Sequence, residues 1–211
     1  SDYHIAEYSN EITKAGCRIA REIADEFTAI DPTKPRFVAG SIGPTNKTCS
    51  ISPDVNNPAV RDISFDEMVH AYKSQMTEML LCDVDAFLIE TIFDTLNAKA
   101  AIYAAEEAMN SIGKRIPLML SATIADTGGR TLSGQTLDAF VTSVKHADIF
   151  CIGLNCSFGA KQLKPFIKQL AETTPYYISV HPNAGLPNSF GQYDQTPEEM
   201  ADEMDEYLKD G

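Results

Sequence analysis

The sequence predicts an α/β fold, an incomplete (β/α)8 barrel of about five parallel βα units. Three observations carry this expectation. Five short apolar runs, of the kind shown by parallel strands buried on both faces, alternate with segments of helical period. The runs begin at residues 37, 86, 116, 149 and 176, giving intervals of 49, 30, 33 and 27 residues, and one βα unit takes roughly 30. Each run ends in a polar or Gly/Pro-bearing segment: SIGPTN, ETIFDT, SATIADTGG, LNCSFG and HPNAGLPN. In a doubly wound sheet only the strands at the switch point would end so, whereas every strand of a barrel opens onto the site.

The elements follow in order. Residues 5–30 place Ile12, Ala15, Ile19, Ile23 and Phe27 three and four apart, which is the helical period. The proline-flanked turn DPTKP leads into the first strand, Phe37–Ile42, and the long first interval holds a loop of about 20 residues before a helix over 64–81. The strand Ala86–Glu90 precedes a helix over 95–112, with Asp94, ahead of Thr95, the favoured N-cap. Strands Ile116–Ser121, Ile149–Leu154 and Tyr176–Val180 then alternate with helices over 135–146, 159–173 and 197–209. Gly211 suits a helix C-cap with a further strand beyond it. A complete barrel takes about 250 residues. Five strands in 211 residues, with a helix at either end, therefore predict that 1–211 is one partial barrel domain lacking flanking strands on both sides.

Composition narrows the function. Lys and Arg number 17 against 30 Asp and Glu, a net charge of −13, and this disfavours nucleic acid as a partner. No apolar run approaches the roughly 20 residues of a membrane span, and the first residues lack signal-peptide character, so a cytoplasmic protein is expected. Five cysteines, an odd number at scattered spacings, do not form a disulfide framework.

The strand ends supply the candidate chemistry. Cys156, where the apolar run Ile149–Leu154 breaks, could ligate a metal. With no CxxC or HxxxH partner, an inert buried thiol stands beside that reading. Glu90 ends an apolar strand, where a carboxylate is costly unless it is paired or binds a ligand. The alternative for it is a structural partner of a helix N-terminus. Asn155 could orient the site or its substrate, or serve a turn. His181 could act as base, ligand or structural residue, and Asn183 has an amide oxygen at a strand end. The glycines of Gly40–Gly43 and Gly128-Gly129 match a phosphate cradle poorly and are expected to permit left-handed turns. Asp2-Tyr-His4 begins a D-x-H-x-x-G cobalamin string, but Glu7 stands where its glycine would be, and no strand precedes it.

The strings GSIGPTNKTCSISPDVNNPAVRDISFDE, LIETIFDTLNAKAA, SATIADTGGRTLSGQT, GLNCSFG and HPNAGLPNSFGQYD, colinear from 36 to 208, together resemble the homocysteine-binding module of cobalamin-dependent methionine synthases. GLNC alone would also fit homocysteine methyltransferases that use betaine or S-methylmethionine. The long 40–67 segment and HPNAGLP point to the methionine synthase branch.

The resemblance implies a zinc-bearing (β/α)8 barrel that transfers a methyl group to the homocysteine thiol. Cys156 would be one of three cysteine ligands, the other two lying in a Gly-Gly-Cys-Cys motif outside this chain. An Asp-Gly motif of the first strand is absent too. Glu90 would bind the substrate ammonium, and the Asn183 amide oxygen could occupy zinc's open position when substrate is absent; Asn155, next to Cys156, is expected on the substrate side of the site. Cobalamin and methyltetrahydrofolate would sit on other modules of the same polypeptide. The chain alone is expected to be inactive and to bind zinc weakly or not at all. Two other classes stay in view: an aldolase or hydrolase using Glu90, Asp94 or Asp126 with His181, and a non-catalytic scaffold. Omitted strands leave unpaired sheet edges. Dimers or aggregates are therefore expected at high concentration, and a clean monomer by light scattering across a wide concentration range contradicts this.

Overall fold

A computed structural model describes residues 5–209; the expectations placed on Asp2-Tyr-His4 and on Gly211 lie outside them. Five parallel strands, hydrogen-bonded in the order β1-β2-β3-β4-β5, alternate with helices in an α/β arrangement. They are β1 (Ala39–Ile42), β2 (Ala86–Ile92), β3 (Leu118–Ala122), β4 (Cys151–Gly159) and β5 (Tyr177–Asn183). The helices are α1 (Ser9–Ile30), α2 (Phe65–Leu81), α3 (Thr95–Ile112), α4 (Leu137–Val144), α5 (Ala160–Thr173) and α6 (Pro197–Lys209), with a 3-10 turn at Ala6–Tyr8. The chain forms two compact units, one of residues up to 89 with 94–119, the other of 90–93 with the residues from 120 onward.

In the first unit, β1 pairs with β2 from Ala39↔Ala86 to Ile42↔Ile89. Helices α2 and α3 pack together. α3 buries Ala100, Ala101, Ala104, Ala105 and Ala108, while α2 buries Met68, Met76 and Leu80. A face of alanines lets another backbone come close, and flexible methionines fill the uneven space that remains. Ser64 and Glu67 start α2 with a reciprocal capping box. Arg21 of α1 donates to Asp85 at 2.7 Å, and the same carboxylate oxygen accepts the Val38 amide at 2.6 Å. The sequence marks α1 by its apolar period, yet Ile12, Ile19, Ile23 and Phe27 are exposed, and Cys17 and Ala24 are its buried residues.

The long loop 43–64 is ordered by the start of α3. Asp94 caps that helix, accepting from the Leu96 and Asn97 amides at 2.8 and 3.4 Å, as the sequence predicts. Its carboxylate also accepts the Ser50 amide and hydroxyl at 3.0 and 2.7 Å. Asn97 accepts from the Cys49 amide and donates to the Lys47 carbonyl, and Arg61 bonds the carbonyls of Cys49, Pro58 and Val60. These bonds satisfy loop backbone groups that secondary structure leaves unpaired.

In the second unit, β4 pairs with β5 from Cys151↔Tyr177 onward, and α5 packs on both strands. Leu120, Ile124, Ile152, Leu154, Leu163 and Leu170 form its buried core. The backbones of β4 and β5 meet closely at Gly153, where a Cβ would lie 2.0 Å from the Ser179 carbonyl oxygen. Gly129 has φ +72 and a Cβ there would meet Phe166 at 2.7 Å, so both conformation and space call for glycine. Gly40, Gly43 and Gly128 do not take the left-handed backbone expected of them.

Strands β2, β4 and β5 run further than their apolar stretches suggest, β2 continuing past Glu90 to Ile92. β4 continues past Leu154 to Gly159, and β5 past Val180 to Asn183, because the ladder is a backbone interaction and tolerates polar side chains once one face is open. Gly153→Ala is expected to force β4 and β5 apart, with a cost near the top of the about 1–3 kcal/mol of overpacked sites. The urea unfolding midpoint measures the loss, and an unchanged midpoint contradicts the close approach.

Candidate functional site

The end of β4 is irregular in a defined way. Asn155 pairs with His181 and Gly159 with Asn183, so β4 advances four residues where β5 advances two. The surplus is a bulge, and Cys156 and Ser157 occupy it with φ 59 and 63. Thr91, at the end of β2, has φ 58. Left-handed backbone is a genuine outlier for a β-branched residue and costs on the order of 1–3 kcal/mol unless its surroundings hold it.

Asn155 supplies that hold. It is 4% exposed. Its Oδ1 accepts from the Thr91 amide at 3.0 Å and the Ser121 hydroxyl at 2.7 Å. Its Nδ2 donates to Thr91 Oγ1 at 2.9 Å and to Cys156 Sγ at 3.1 Å. A backbone N–H can only donate, so the Thr91 amide fixes which end of the Asn155 amide is oxygen. Thr123 completes the cluster, its hydroxyl donating to the Asn155 carbonyl at 3.2 Å.

Cys156 differs from the other cysteines. Cys17, Cys49 and Cys151 are buried, Cys82 is half-buried, and Cys156 alone of the five is exposed. Burial pushes the thiols of Cys17, Cys49 and Cys151 up. The bulge turns the Cys156 backbone away from the ladder and opens its side chain to solvent. The inert-buried alternative for Cys156 therefore does not describe this structure.

Glu90 is half-buried on β2 and directly precedes Thr91, the residue that Asn155 grips. Asn183 is half-buried at the end of β5, in register with Gly159 just past the bulge, and His181 is exposed in register with Asn155. Asn155 and Cys156 are thus joined directly, Glu90 is joined to them through Thr91, and Asn183 is their neighbour in the ladder. Asp126 accepts the Gly128 and Arg130 amides with one oxygen at 2.9 and 3.1 Å, which organises the turn after β3. Asp94 belongs to the first unit as cap and loop anchor.

Sequence reasoning passed over Thr91, Ser121 and Thr123. Their one signal is position, since each is a hydroxyl residue at a strand end beside a motif already singled out. Among the described residues no group of three or more His, Cys, Asp or Glu side chains could hold a metal ion. Cys156 offers one exposed thiol. Among them, too, no helix is long and apolar enough to cross a membrane.

Comparison with known proteins agrees on the fold. The homocysteine methyltransferase MmuM from Escherichia coli is similar in its apo form, with TM-score 0.67 and 20% identity over 85% of this chain and 62% of that one. Its metallated form gives 0.67 at 18% identity, covering 83% and 59%. Its oxidized form gives 0.68 at 18%, covering 96% and 63%. The chain thus spans about three-fifths of the length of these structures, as an incomplete barrel would. At such identity the likeness speaks for the fold, and the sequence itself speaks for the family. The profile described as homocysteine S-methyltransferase matches residues 1–211, and the chain belongs to that family.

Proposed function

We propose that this chain is part of the barrel that carries homocysteine in a cobalamin-dependent methionine synthase, where a methyl group passes from methylcobalamin to the homocysteine thiol to give methionine. The observation that carries the reading is the exposed Cys156 thiol on the two-residue bulge that ends β4. Family membership and the colinear strings from 36 to 208 support it.

The donor set fits zinc as a contribution, not as a whole site. A catalytic zinc takes three protein ligands and keeps one position open. Cys156 would be one ligand, with two cysteines supplied from outside this chain. The Asn183 amide oxygen would fill the open position when substrate is absent. Zinc, when bound, would hold the homocysteine sulfur as thiolate, the form that attacks an electrophilic methyl group.

The rest falls to the chain's own residues. Glu90, at the end of an apolar strand, would take the substrate ammonium through a charge-assisted bond. Asn155 keeps its neighbours Thr91 and Cys156 in place. The odd, scattered cysteines favour a reducing compartment, so we place the reaction in the cytoplasm. The modules for cobalamin and methyltetrahydrofolate would lie elsewhere on the same polypeptide, and the chain alone would be inactive. The acid–base barrel reading gains no support from the geometry, because Asp94 and Asp126 both spend carboxylate oxygens on backbone amides.

In the whole protein, Cys156→Ala is expected to abolish zinc retention on dialysis and methyl transfer with it. Glu90→Gln removes a bond to a charged group worth about 1.5–3 kcal/mol, so the KM for homocysteine should rise roughly 10- to 150-fold. Zinc content by atomic absorption and steady-state kinetics read both. Full zinc and full activity in Cys156→Ala contradict the proposal.

A further inference from the structure

We propose that Asn155 is a positioning residue, whose buried amide holds Thr91 in left-handed backbone and points the Cys156 sulfur out of the bulge. The β2 end that carries Glu90 and the β4 end that carries the thiol then keep one fixed geometry. What that geometry serves rests on the methyltransferase reading, but the geometry itself does not.

The hydrogen-bond inventory argues against direct substrate contact by Asn155. An amide side chain has two acceptor sites on oxygen and two N–H donors. Here Thr91 N and Ser121 Oγ fill the oxygen, and Thr91 Oγ1 and Cys156 Sγ take the two N–H groups. Nothing is left over for a ligand, and at 4% exposure none could reach the amide.

Two of the four bonds go to Thr91, on its amide and on its hydroxyl. Together they fix both the backbone and the side chain of a residue at φ 58, a conformation that β-branched residues avoid when left alone. The bond to sulfur comes from the residue directly before the left-handed pair Cys156-Ser157. One side chain thus spans the outlier of β2 and the bulge of β4. A side chain that merely filled space would need neither the hydroxyl of Thr91 nor the sulfur of Cys156.

The test uses the 211-residue chain without metal or homocysteine, so it can fail while the methyltransferase reading stands, and the reverse. Iodoacetamide is applied at one pH, and mass spectrometry follows alkylation at each of the five cysteines. In the parent the bond from Asn155 Nδ2 holds the exposed Cys156 sulfur out of the bulge, where the reagent meets it. Without that bond, worth about a factor of ten, the sulfur is no longer held outward, so Asn155→Ala should slow alkylation of Cys156 about tenfold. Asn155→Asp keeps the shape but turns an acceptor toward the sulfur, and should slow it as much.

Buried Cys17, Cys49 and Cys151 should stay protected, which shows that the fold is intact. Should Asn155→Ala fail to fold, Asn155→Asp decides the matter. Thr91→Gly, which takes φ > 0 without strain, should recover at least half of the urea midpoint lost in Asn155→Ala. It should not recover the Cys156 rate, because glycine supplies no donor to sulfur. Unchanged Cys156 alkylation in Asn155→Asp overturns the proposal, as does a Thr91→Gly effect on the midpoint that is equal in both backgrounds.

Discussion

The second unit is organised around a mismatch of two residues. β4 must carry Asn155 to Gly159 over a distance that β5 covers from His181 to Asn183. The ladder absorbs the surplus by turning Cys156 and Ser157 left-handed, and the bulge lifts a thiol out of a sheet that otherwise buries it. Just before the bulge the same two strands touch so closely that Gly153 has no room for a Cβ. A tight segment followed at once by a bulge makes the position of Cys156 a consequence of the backbone, not of a flexible loop. Strain of this kind persists only where the surroundings over-determine it, and the Asn155 cluster supplies the bonds that do so.

The first unit solves a different problem with similar means. A loop of 22 residues, 43–64, lies between β1 and α2, and loops of that length are commonly functional or disordered. Here Asp94 and Asn97 serve both the first turn of α3 and the loop backbone at Lys47, Cys49 and Ser50. An N-cap needs only part of a carboxylate, and Asp94 uses the remainder to anchor the loop. The buried Tyr72 hydroxyl of α2, in the same unit, is pushed up to about 12, chiefly by burial and secondarily by the charges of Cys49 and Asp94.

Much of the fold is legible in the sequence because it depends on period and alternation. The helices over 95–112 and 197–209 match α3 and α6 at both ends, since Asp94 marks one start and a run of helix formers fills the other. The strands are legible in their apolar parts and not beyond, as β4 and β5 show, because backbone pairing past Leu154 and Val180 leaves no hydrophobic signature. The bulge is illegible for a related reason: its left-handed residues are Cys and Ser rather than Gly. The exposed face of α1 is equally silent, since an apolar period tells which residues share a face but not whether anything covers it. Cys156 and Glu90 could be picked out by residue type at a strand end. Thr91 and Ser121 could not, because what distinguishes them is a hydrogen bond across 64 and 34 residues of sequence.

The central claim is that the thiol raised at the end of β4 is a metal ligand in homocysteine methylation. X-ray absorption at the zinc edge of the whole protein tests it most directly, by counting sulfur atoms around the metal. The account predicts one more sulfur around the zinc when homocysteine is added, and no zinc left to count in dialysed Cys156→Ala. A sulfur count that homocysteine leaves unchanged, or a dialysed Cys156→Ala that keeps its zinc with the parent's count, would contradict it.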